Sequence, residues 1–273
     1  MGDFTQQDLN TYKSVLFDED EQNKLLELDL ISKFDNADKS GFNFLLPYVG
    51  KNYKKQRILI VAESKYIETT DDDVPAKTFY KWIINRVLNQ NDDSEVADFI
   101  DKHNYQIYTR QPFVEYYKCL HGERDKTYQG WPFLTLINDF CDQFNCTKEE
   151  ALLSFAFMNF FIAPVVCSGK DNGMKRGVFY KLYKHDCKEY REYAKRCSDF
   201  LDDVIDCLNP DVVFMCSKYA WDNYWGKHQK DGKIVWLYHP SDNRNWSKKV
   251  PFYEGKTSKE VFKEKLEELK HNF

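Results

Sequence analysis

The stretch "RILIVAES", residues 57–64, decides how the rest of the chain is read. Five apolar residues run without a polar break and then stop at Glu63 and Ser64. The run is below helix length, and its Ile and Val content suits a pleated backbone. Unbroken apolar character, in place of alternation, implies burial on both faces, as in a parallel strand between two helical layers.

Three further segments resemble it. "FAFMNFFIAPVV" (155–166), "NPDVVFMCS" (209–217) and "KIVWLYHPS" (233–241) are short, apolar and end in polar residues. The segments between them carry a helical period. In "PAKTFYKWIINRVLNQ" (75–90), Pro75 suits a helix start, and Phe79, Trp82, Ile83 and Val87 recur at helical spacing. Thr147 with Glu150 three residues on forms a capping box, and "CKEYREYAKRCSDFLDDVIDCL" (187–208) is amphipathic. Strand and helix alternate to the end of the chain. That order predicts an α/β fold, a three-layer sandwich around a central, mostly parallel four-stranded sheet with helical additions. One domain is expected over residues 1–273, with a helical cap in 1–50 and a long insert in 67–150.

Bulk properties narrow the function. The longest apolar runs are near ten residues, and the start "MGDFTQQDLNTYK" lacks a secretion pattern, so a cytoplasmic protein is expected. A net charge of −5 excludes a uniformly basic surface, and a nucleic-acid partner would need a local basic track. None of the eight cysteines forms a C-x-x-C pair, and neither metal nor cofactor is expected. "VAESKY" has no glycines to cradle a phosphate, and no G-x-S-x-G elbow is present.

In parallel sheets ligands bind beyond the carboxyl ends of strands. Those ends carry Glu63 to Tyr66, Asn159 to Phe161, Ser217 with Lys218, and His239 to Ser241. An Asn side chain presents a donor beside an acceptor, which matches one edge of a pyrimidine. A histidine can donate to an oxygen that gathers charge, and a carboxylate can position water or face a cationic sugar. Together they suit hydrolysis of an N-glycosidic bond. Each also has a plainer reading: Glu63 as a surface cap, Asn159 as a partner for backbone groups, His239–Pro240 as a turn and Trp246 as a packing residue.

"ILIVAESKY", "FMNFFIAPV", "LNPDVVFMCSKYA" and "YHPS" are similar, in order, to four elements of the uracil-DNA glycosylase superfamily, covering residues 57–250 in pieces. The resemblance implies that Asn159 reads the base edge and His239 bonds the base carbonyl as charge builds on it. It also implies an acidic role for Glu63, with Ser64 where some branches keep a water-activating Asp. Tyr66 would pack beside carbon 5, Phe160 or Phe161 would stack on the base, and Ser217, Lys218 and Ser241 would contact phosphates. The loop after "HPS" would enter the duplex, with Asn243 in it, Arg244 or Trp246 as the plug, and Lys248 and Lys249 on phosphates. Extruding a base costs about a few kcal/mol, some of which such a plug offsets. The chain departs from the pattern at Lys65, which replaces Pro, and at Asp242-Asn243-Arg244, which replaces Pro-Leu-Ser.

The expected activity is a monofunctional DNA glycosylase acting as a monomer on DNA, expected to be double-stranded, and leaving an abasic site. The altered first motif and long insert point toward a hypermodified cytosine of phage DNA, as in the antiviral branch of the superfamily. Ordinary uracil excision, a non-catalytic module binding modified nucleotides and a hydrolase of free nucleosides remain alternatives.

Overall fold

A computed structural model of the chain describes residues 6–34, 43–64, 66–68, 74–90, 95–103, 109–123, 133–163, 165–167, 187–240, 246–251 and 253–270. The segment that decides the fold is β2 (Ile58–Ala62), buried at all five positions. It is the middle strand of a five-stranded sheet. β4 (Phe155–Asn159) and β6 (Val212–Met215) flank it, both parallel, and β7 (Ile234–Trp236) lies beyond β6. Alternation along β2 sends Ile58, Ile60 and Ala62 into one core and Leu59 and Val61 into the other.

The core that takes Leu59 and Val61, the first core, is covered mainly by α5 (Val74–Val87) and α10 (Lys188–Leu208). On α10, Tyr193, Cys197, Leu201, Val204 and Leu208 all face inward. Asn209 in the left-handed conformation at φ 43° ends that helix, and Pro210 follows it. The second core is covered by α7 (Gln111–Leu120), α8 (Leu134–Phe144), α9 (Lys148–Leu153) and α12 (Ser258–Lys270). The capping box expected at Thr147 is formed, with Glu150 bonded back to the Thr147 amide at 2.8 Å. The N-terminal cap consists of α1 (Gln6–Leu16), α2 (Glu19–Leu26) and α3 (Asp29–Ser32). Three short helices, α4 (Tyr53–Gln56), α6 (Ala97–Lys102) and α11 (Lys218–Asp222), complete the described set.

Two expectations about the sheet need correction. The sheet has five strands, not four, because β1 (Tyr48–Val49) pairs antiparallel with β4 at its edge. Two residues between Pro47 and Gly50 carry no periodic signal, so only the pairing defines this strand. The apolar run 155–166 is not one strand. It breaks after Asn159 and resumes as β5 (Val165–Cys167), which pairs with β3 (Tyr66–Glu68) in a separate two-stranded ladder. Three residues separate β2 from β3 but five separate β4 from β5, so the second connection must bulge. The bulge is pinned by Phe160 N–H to Ala62 O at 2.8 Å and Phe161 N–H to Glu63 O at 2.9 Å.

At the amino end of β7, both ring nitrogens of His228 meet carboxylates: Nδ1 meets Asp231 at 2.5 Å, and Nε2 meets Asp206 of α10 at 2.9 Å. Lys227 pairs with the same Asp206, and Asp202 accepts the Lys227 amide at 2.8 Å. Burial pulls the imidazole pKa down, but bonds to Asp231 and Asp206 outweigh it, and the net shift is upward. The stability linked to this ring is therefore complete below its ordinary pKa of 6.5 and lost as pH rises through the higher folded value. Melting temperature should fall above about pH 7 in the wild type and fall less in His228→Gln. Equal slopes in the two proteins would show that the contact is energetically idle.

Candidate functional site

The chain leaves β2 for β4 on one side of it, then returns to β6 on the other. Such a reversal opens a crevice at the carboxyl ends of the two strands between which the direction changes, here β2 and β6. Glu63 stands at that point, 8% exposed, and its Oε2 accepts a hydrogen bond from Ser217 Oγ at 2.8 Å. Ser217 is also the N-cap of α11, accepting from the amides of Tyr219 at 3.1 Å and Ala220 at 3.2 Å. One hydroxyl proton and two lone pairs are thereby all used. The expected phosphate contact for Ser217 is accordingly revised: its hydroxyl is committed inside the fold, where it orients Glu63. Lys218, next in the chain, is exposed and pairs with Asp222 at 2.5 Å.

Asn159 and His239 belong to the other face of the sheet. Asn159 closes β4, in register with Ala62 and on the same side as Phe157. His239 follows β7, and its backbone is set by the preceding residue, since Tyr238 N–H donates to Ser258 Oγ at 2.9 Å. β4 and β7 are three strand spacings apart, roughly 14 Å, so a ligand touching both residues must lie across β2 and β6. Phe133 bridges the gap. Its ring meets Phe157 edge-on at 4.9 Å and the His239 ring at 5.2 Å. Burial pushes the His239 pKa down to about 4, which leaves the ring neutral at physiological pH, with one N–H donor and one acceptor nitrogen. Sequence reasoning missed Phe133, because an aromatic residue at a helix start carries no local mark of a partner 106 positions away.

Ser64 is 7% exposed, and its Oγ has no hydrogen-bond partner among the described residues. Leaving a buried hydroxyl unsatisfied costs about 1–3 kcal/mol, and such atoms mark places completed by a ligand or a water. Glu63 and Ser64 are therefore both buried polar residues at the crevice.

Other expected residues lie elsewhere. Phe160 is fully buried and edge-on to Phe161 and Tyr224, and Phe161 is 3% exposed between Tyr193 and Tyr219. Both rings are spent on the first core, which removes them as base-stacking surfaces. Trp246 is not the plug: it is 2% exposed, packs on Phe262 and donates from Nε1 to Asp139 at 3.2 Å. An indole beside an apolar core face with a buried acceptor in reach has no reason to enter solvent. Lys248 and Lys249 are exposed just after it. Tyr66 begins β3, paired with Val165. Ser241, Asn243 and Arg244 lie outside the described residues. Among the described residues no group of His, Cys, Asp and Glu is arranged to hold a metal ion, and no helix is long and apolar enough to cross a membrane. No family model, curated protein or solved structure matches the chain.

A double-mutant cycle between Glu63→Ala and Ser217→Ala, read by urea unfolding, should give a coupling of about 1.5–3 kcal/mol, the range for hydrogen bonds to charged groups. Additive effects would remove Ser217 as the orienting group. For His239, the depressed folded pKa means stability is present above 6.5 and lost as pH falls toward about 4. The difference in unfolding free energy between wild type and His239→Gln should shrink across that interval. A constant difference would place the imidazole in water.

Proposed function

We propose that the protein is a monofunctional DNA glycosylase that hydrolyses the N-glycosidic bond of a flipped, modified pyrimidine and leaves an abasic site. The observation that carries this reading is the division of polar groups across the carboxyl edge of the sheet. Glu63, held by Ser217, is on one side, and Asn159 and a neutral His239 are on the other. A nucleoside laid across that edge puts its base toward Asn159 and His239 and its sugar toward Glu63.

The chemistry follows from those positions. As the glycosidic bond lengthens, the electron pair moves onto the base and positive charge develops on the sugar. Asn159 offers its donor and acceptor to the pyrimidine edge. A neutral His239 donates its N–H to the base oxygen that gathers charge, an interaction that strengthens only as the bond breaks. The Glu63 carboxylate faces the sugar cation and orients the water that attacks it. No lysine is needed as a nucleophile, so the reaction stops at the abasic site. Lys218, Lys248 and Lys249 are exposed cations that fit phosphates on a protein otherwise negatively charged. A modified cytosine is favoured over plain uracil because Phe133, which lines the base side, comes from the long insert and not from the glycosylase-like motifs. A place in defence against phage DNA accords with such a substrate.

The test is to incubate the protein with duplexes carrying uracil or hypermodified cytosines and to identify any released base by mass. Release of a modified cytosine is expected, with no borohydride-trapped protein–DNA adduct. Asn159→Ala and His239→Ala should each lower release by about 100-fold or more while unfolding stays cooperative. Full release in both variants would sink the site, and release from none of the duplexes would sink the activity. Lys248→Glu with Lys249→Glu should weaken duplex binding and flatten its salt dependence by about two ion equivalents.

A further inference from the structure

His239 is held by two separate frames. Its backbone is set by α12, whose first residue Ser258 is fully buried and accepts the Tyr238 amide at 2.9 Å. Its ring packs edge-on against Phe133, the residue from which α8 starts. The alignment of the imidazole therefore depends on how α8 and α12 are fixed to each other.

Beyond the apolar core that the two helices share, one buried polar side chain ties them together. Asp139, on α8 and 3% exposed, takes Lys259 at 3.1 Å and Lys263 at 3.3 Å from α12, and accepts the Trp246 indole N–H at 3.2 Å. The other polar ties between the helices, Lys263 to Asp142 and Gln143 to Glu267, involve exposed partners. Asp139 differs from those partners in being buried itself: it needs its three donors, Lys259, Lys263 and the Trp246 indole, to offset the cost of removing a carboxylate from water. Asp139 also holds Trp246, seven positions after His239 in the chain.

We propose that Asp139 is a positioning residue for His239: by locking α8 to α12 and to Trp246, it holds the Phe133 ring against the imidazole and keeps that ring oriented and dry. Its effect on catalysis rests on the glycosylase reading; its effect on the imidazole does not. The depressed pKa of His239 supports the second part, since burial is its cause. Phe133 is an aromatic residue in contact with the ring, and Lys259 and Lys263 face Asp139.

The experiment is an NMR titration of ¹⁵N-labelled imidazoles in wild type, Asp139→Asn and Asp139→Ala, with His239 assigned from the signal missing in His239→Gln. The wild-type ring should titrate near 4. In Asp139→Ala its midpoint should move up toward the ordinary 6.5, with a smaller rise in Asp139→Asn, which keeps an acceptor for the indole. On the DNA substrate, Asp139→Ala should lower kcat by about tenfold with KM changed by less than about twofold, and Asp139→Asn should restore most of it. An unchanged His239 midpoint in a folded variant overturns the proposal. If Asp139→Ala does not fold, the midpoint in Asp139→Asn decides by the same criterion. A shifted midpoint in a protein that releases no base from any DNA supports the positioning role and removes the glycosylase reading alone.

Discussion

The structure depends on β2 being hydrogen-bonded on both edges and buried on both faces. A strand in that position can carry no polar side chain along its length, and β2 carries none. Both of its edges must be parallel-paired, which demands crossovers, and both faces must be roofed, which demands helices. The two hydrophobic cores, the flanking strands β4 and β6 and the helical layers satisfy this one five-residue segment. The first polar residues it can bear come at its carboxyl end, and those are Glu63 and Ser64.

The same constraint explains how the candidate site divides. Alternation in β2, β4 and β6 keeps the two cores separate up to the last residue of each strand. Groups just past the strand ends inherit that separation. Ser217 and Glu63 fall with α11 and the first core, and Asn159, Phe133 and His239 fall with the second. A reaction that needs one environment for a departing base and another for a cationic sugar is well served by an edge with two sides. The neutral state of His239 comes from the same source, since burial beside the second core, with Phe133 against the ring, lowers its pKa.

Legibility varied with the range of the interaction involved. β2, β6 and α10 could be read from the chain because apolar runs and the 3.6 period are local properties of consecutive side chains. Glu63, Asn159 and His239 could be singled out as strand-end polar residues because strand ends can be seen in a sequence. β1 could not be seen, being two residues defined only by pairing with Phe157 and Ala156. The break after Asn159 was hidden because residues on both sides of it are apolar. Phe160 and Trp246 were misplaced for a related reason: an aromatic residue beside a functional motif has the same local signature whether it faces a ligand or a core.

The amino-acid sequence by itself determined the class of fold and the polar groups available at the strand ends, because backbone periodicity and burial are written in neighbouring residues. Tertiary structure alone decided which groups meet. Ser217 reaches Glu63 across 154 positions, and Trp246 reaches Asp139 across 107. No local pattern encodes such contacts, since each depends on where separate strands and helices stop relative to one another. Side-chain packing at those stops turns a list of plausible residues into one with an oriented carboxylate, a neutral imidazole and two large aromatic residues buried in the cores.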